Sequence, residues 1–249
     1  MKQIWQHLKK KWIKYLFETL AIIIGIFGAF TLDNWNQDRL DRKEEIQILK
    51  EISGDLAASL GVLKNNIRSE MNGLKAMKIV IHQLTNDLPY HDSLNRYFYN
   101  LSAGVTPVFP SSGFETLKSK GIELVSNPEV RRNIITMFDQ RLPGLTESIR
   151  YDQHVRHEQY LASAYIDKFT LLSRDLGDPV EDNRIKDLGT NSVAVPVDYN
   201  QLMRDQRYEN LVREMYNNKL WMMNYEKEIL ENIKAFKVEV DEEINRLSS

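Results

Sequence analysis

From Thr19 to Leu32 the chain carries no charge, and the run LAIIIGIFGAFTL passes without a proline into DNWNQDRLDRKEEIQILKEI, which is charged throughout. As helix, the uncharged part spans about 21 Å, and adding Tyr15 to Glu18 brings it to roughly 27 Å. That is close to the ~30 Å hydrocarbon core of a bilayer. Residues 1–14 contain Lys2, Lys9, Lys10, Lys11 and Lys14 and no acid, whereas 33–48 mixes acids and bases. The positive-inside rule then keeps the basic start in the cytoplasm and exports the chain beyond Leu32. A cleaved signal peptide shares the basic start and apolar run. Ala29-Phe30-Thr31 departs from its small-x-small cleavage pattern, so the expectation is an uncleaved anchor.

The expected division is 1–14 cytoplasmic, 15–32 transmembrane, 33–48 a membrane-proximal stalk and 49–249 a periplasmic helical domain. The anchor makes the chain a single-pass membrane protein. Trp12 and Trp35 bracket the apolar segment where interfacial aromatics gather. Glu18 lies one turn inside Lys14, within reach of the headgroups or of an i, i+4 pair with that lysine. Gly25 and Ala29 form a small-xxx-small pair that would let another membrane helix approach.

All seven prolines fall between Pro89 and Pro196, which leaves both flanks free of the strongest helix breaker. Apolar residues recur at Leu49, Ile52, Leu56, Leu60, Leu63, Ile67, Met71 and Leu74. They recur with the same steps at Met222, Tyr225, Ile229, Ile233, Phe236, Val240, Ile244 and Leu247. Steps of three, four and four amount to about 3.67 residues per turn, a nearly straight stripe. Two long helices, about 33–84 and 201–247, are expected to pair antiparallel like a coiled coil. The expected register sets Leu49 beside Leu247, Leu74 beside Met222 and Ile81 beside Met215. Residues 33–48 then lack a partner in the chain, so they are the expected contact for a second copy or another envelope protein.

Between the rods, shorter helices are expected within 92–172 and a loop over 173–197, where SVAVPV suits a short strand. Asn127-Pro128-Glu129 is a helix start signal, and Gly121 and Gly104 are stops. Pro143-Gly144 is expected to kink or end the helix it falls in. The fold class is all-α: one N-terminal transmembrane helix continuing into an elongated antiparallel bundle, with a smaller helical cap far from the membrane.

GIFGAFTLDNWNQDR after a basic start, FETLKSKGIELVSNPEVRRNI, and DYNQLMRDQRYENLV before the closing helix resemble a domain-of-unknown-function family of Gram-negative bacterial membrane proteins. In that family an acid precedes the apolar run and Asn-Trp-Asn follows it. Glu18 and Asn34-Trp35-Asn36 stand at those places, and Gly28 departs from the family's large apolar residues. The resemblance implies one membrane span and an exported helical domain, and it carries no activity with it.

Chemistry is sparse. The chain has no cysteine, which removes disulfides and thiolate catalysis. A net charge of −2 argues against a nucleic-acid partner. The Lys118, Lys120, Arg131 and Arg132 group lacks interleaved aromatics and reads as a solvated face. His154, His157 and Glu158 sit at a spacing that can begin a transition-metal site, without matching a protease motif, and a solvent-facing helix is the plainer account. Tyr90, Tyr97, Phe98, Tyr99, Phe109 and Phe114 would pack short helices or line a pocket. No cofactor or catalytic residue is expected. The expected role is a non-enzymatic structural or accessory subunit of an envelope assembly. The alternative is a ligand-binding or sensory module that signals through a partner membrane protein.

Overall fold

A computed structural model describes residues 2–101, 104–156, 166–173 and 192–249, with the side chains of 2–15, 154–156, 166 and 173 outside the description. Helix α1 runs unbroken over Lys2–Thr85, 84 residues, or about 126 Å. Nothing in it interrupts the backbone bonding, so the apolar segment and the charged rod form one element. The closing helix α8, Gln206–Ser248, has 43 residues and runs antiparallel to α1. Asp205 starts it by accepting the Tyr208 N–H at 3.0 Å. Residues 201–203, expected at the start of that rod, belong instead to a separate short helix α7, Tyr199–Met203, capped by Asp198.

On α1, residues 45, 49, 52, 56, 59, 63, 66, 70, 73, 77, 80 and 84 are all buried. On α8 the same holds for 208, 212, 215, 219, 222, 226, 229, 233, 236, 240, 243 and 247. Both series alternate steps of four and three. This is a seven-residue repeat of about 3.5 residues per turn, which implies left-handed winding. The expected eleven-residue period is thereby corrected. Counting apolar residues alone skips Ser59, Asn66, Glu70 and Gly73 on α1 and Lys219, Glu226 and Glu243 on α8. It enlists Met71 instead, which is 56% exposed.

The register is corrected too. Asn66 donates to Glu226 at 2.8 Å, and a Cβ on Gly73 would lie 2.7 Å from Lys219 Cε. Counting in sevens from these contacts sets Glu243, not Leu247, level with Leu49, and Glu45 level with Leu247. Met222 then faces Glu70 rather than Leu74, and Met215 faces Met77 rather than Ile81. The displacement is one turn, about 6 Å, and it brings Asn66 opposite Glu226.

Three middle helices pack on the half of the rod nearer the apolar segment, which corrects the expectation of a cap far from the membrane. They are α3 (Ser112–Lys120), α4 (Pro128–Ile135) and α5 (Leu142–Arg156). Phe114, Leu117, Ile134 and Phe138 share a core with Ile48, Ile52, Leu56, Ile233 and Phe236. Pro143 does not end the helix. A π-turn at Thr136–Arg141 joins α4 to α5, with Leu142 N–H bonding Met137. A π-turn lets the chain pass a residue that has no N–H.

Carboxylates on the rods hold the starts of these helices. Asp55 accepts the Gly113 N–H at 2.7 Å and the Ser112 hydroxyl at 2.9 Å. Glu45 accepts the Ser126 N–H at 2.7 Å. Asn127, which caps α4 with its own oxygen, donates to Glu243 at 3.1 Å. Gly113 is required at its position, because a Cβ there would fall 2.6 Å from the Ile52 nitrogen.

The far end is closed by α2 (Leu94–Asn100), the three-residue α6 (Ile166–Lys168) and a two-stranded sheet. Strand β1, Phe169–Ser173, pairs antiparallel with β2, Ser192–Pro196. The strand expected in SVAVPV is there, whereas the helix expected to reach Leu172 gives way to β1. Phe98, Phe169, Ala194 and Tyr208 close over Met77, Val80 and Leu84.

Candidate membrane interface and polar seam

Two regions carry features that core packing does not explain. One is the part of α1 that the bundle leaves uncovered. The helix contains a window of mean hydropathy 1.8, long and apolar enough to cross a membrane and with none of that window buried. Leu16, Phe17, Ile22, Ile24, Phe27 and Phe30 are exposed. An uncovered apolar surface of this size in a folded chain marks contact with lipid or another helix. Glu18 is exposed at its edge, and Trp35 is 61% exposed at the other. The Trp12 side chain lies outside the described residues. Around Gly25 a Cβ would meet nothing within 4 Å, and Ala29 is exposed, so the pair presents an open face.

The stalk is shorter than expected. Lys120 pairs with Glu44 at 2.7 Å, and burial begins at Glu45. Residues 33–40 remain exposed. Between the stalk and the turn after α3 lies a groove of about 630 Å³, lined by Trp35, Asp38, Arg39, Arg42, Glu123 and Ser126 among others.

The second region is the polar middle of the seam. Lys219 is 1% exposed and its ammonium pairs with Glu70. Glu226 is fully buried, receives one hydrogen bond from Asn66, and its Oε2 has no hydrogen-bond partner. Burial, then the nearby Glu70 charge, push the Glu226 carboxyl up to about 7, against the pull of Asn66 and Lys219. Glu243 moves the opposite way, held below the usual range chiefly by its hydrogen bond from Arg246. These polar seam residues escaped a reading based on apolar spacing. A strict seven-residue count carried through the charged positions would have found them.

Other candidate residues separate. The His154 side chain, His157 and Glu158 lie outside the described residues. Among the described residues no three His, Cys, Asp or Glu side chains converge as a metal site would require. Lys118 pairs with Glu115 at 2.8 Å and sits over the Phe114 ring, and Lys120 is committed to Glu44. The aromatics divide between two cores, Phe114 stacking on Phe138 and Phe98 tilting onto Phe169. Phe109 borders a second groove, of about 660 Å³, beside Pro143 and Arg150.

No family model matches the chain, and no curated protein or solved structure matches it.

Proposed function

We propose that the chain is a single-pass protein of the bacterial inner membrane, with 1–14 cytoplasmic, 15–32 in lipid and the remainder periplasmic. It serves as a non-enzymatic structural or accessory subunit of an envelope assembly. The supporting observation is the continuity of α1. One helix carries the uncovered apolar segment and, with no break, supplies half of the bundle's seam. A rigid join of this kind suits a strut better than a tethered enzyme. The uncovered stretch at 33–40 is the proposed contact for a second copy or another envelope protein.

The test is size measurement of the detergent-extracted chain, together with capture from native membranes. Cysteines introduced at Leu40 in the cysteine-free chain report on self-association directly. A discrete oligomer, a Leu40 cross-link or a stoichiometric co-purifying partner supports the reading. A monomer that captures nothing overturns it. The groove beside Phe109 favours a second reading, a ligand-binding module. That reading requires a monomer whose thermal midpoint rises with a small molecule.

A further inference from the structure

We propose that Asn66 and Glu70 of α1 with Lys219 and Glu226 of α8 form a proton-operated latch: a proton on Glu226 closes the middle of the seam, and its loss loosens it. Among the described residues, two carboxyls and one ammonium are enclosed in this layer. Lys219 is committed to Glu70, and Gly73 provides the space for its stem, since any Cβ there would strike it. The charges then count simply. With Glu226 ionised these described groups carry one negative charge too many, and with Glu226 protonated they are neutral together.

The hydrogen bonding agrees with the count. A buried carboxylate needs several donors, and Glu226 has one neutral donor, Asn66 at 2.8 Å, with Oε2 lacking a hydrogen-bond partner. The groups that face it are Glu70 and Asn66 from α1 and Lys219 from its own helix. Helix α5 joins the same core through Leu145 and Ile149. Of its described charged side chains, Glu147 and Arg150 pair with each other on the outside, and Asp152 is half-buried. Among the described residues none of these supplies Glu226 with a second cation.

A carboxyl raised in the folded state stabilises fully below its ordinary value of 4.5, and the contribution is lost as pH rises through about 7. Over that window the ratio of closed to open seam falls by roughly two orders of magnitude. On the periplasmic side, a placement that rests on the function proposed above, the bundle would meet the pH of the medium. The latch itself depends only on the α1–α8 packing.

The experiment uses the full chain in nanodiscs and therefore tests the latch independently of its placement. Spin labels go on cysteines replacing exposed Lys64 and Glu228, and α1–α8 distances are recorded at pH 5.5 and 8.5. The expected result is a narrow distribution at pH 5.5 that broadens at 8.5, and a Glu226→Gln chain that stays narrow at both. Isotope-edited infrared spectroscopy of the unmodified chain needs no variant. It should show a protonated carboxyl band at pH 5.5 that is gone by 8.5. Identical distributions at the two pH values, a Glu226→Gln chain that still broadens, or no protonated band at pH 5.5 each overturn the proposal.

Discussion

Above Glu45 and below Arg42, α1 is the same helix in two environments. Above, the seven-residue series is covered by α8 through its whole length, and even its polar members, Glu45, Ser59, Asn66 and Glu70, are buried. Below, the same spacing continues through Arg42, Asp38, Trp35, Thr31 and Gly28, and none of these is buried. Helix formation therefore owes little to the partner, while burial depends on it entirely. The upper half tolerates charge because packed groups answer it, Ser126 for Glu45 and Lys219 for Glu70. The lower half contains no charge between Thr19 and Leu32, and among the described residues no opposite helix covers it to supply a counter-charge.

The contrast can be broken first at Lys219. Lys219→Ala leaves two buried carboxyls without a cation and should destabilise the bundle by about 3–5 kcal/mol. Urea unfolding of the solubilised chain followed by circular dichroism measures this. Arg42→Ala, on the uncovered half, should leave the midpoint unchanged. An equal loss in both variants would erase the difference between the halves. Next in size is Gly113→Ala, which drives a methyl into the α1 backbone and should cost about 1–3 kcal/mol by the same measurement. Gly25→Ala has open space and should cost the isolated chain nothing.

Asn127→Ala removes the cap of α4 and its bond to Glu243, with an expected loss of about 0.5–2 kcal/mol. The pH profile sharpens the comparison most finely. Glu226, with its raised carboxyl, stabilises from the acid side, and its contribution disappears as pH rises through about 7. Glu243 and Asp205, both held low, contribute above the usual carboxylate range and lose that contribution as pH falls below it. Thermal midpoints should therefore peak in mildly acid solution, and Glu226→Gln should flatten only the alkaline side.

Much of the architecture was legible in the residues. The unbroken helix from the apolar run into the rod, the long closing helix, the start at Asn127 and the turn at Gly121 are local matters. Propensity, capping and the absence of proline decide them. The polar seam was not legible, because Lys219 and Glu226 look like solvent-facing residues until an opposite helix is present. Likewise Ser112 and Gly113 form an ordinary helix start in sequence, yet the group that satisfies them is Asp55, on another helix.

The sequence alone determined that α1 and α8 are helices and that one apolar segment is long enough for a bilayer. Those features depend on neighbours a few residues apart. Tertiary structure alone decided the seven-residue winding, the register one turn from the apolar optimum, and the placement of α3 to α5 on the near half of the rod. A buried charge is tolerated only opposite a group that answers it. Where that group lies on a helix about 150 residues away in the chain, only the packed structure can say which residues face each other.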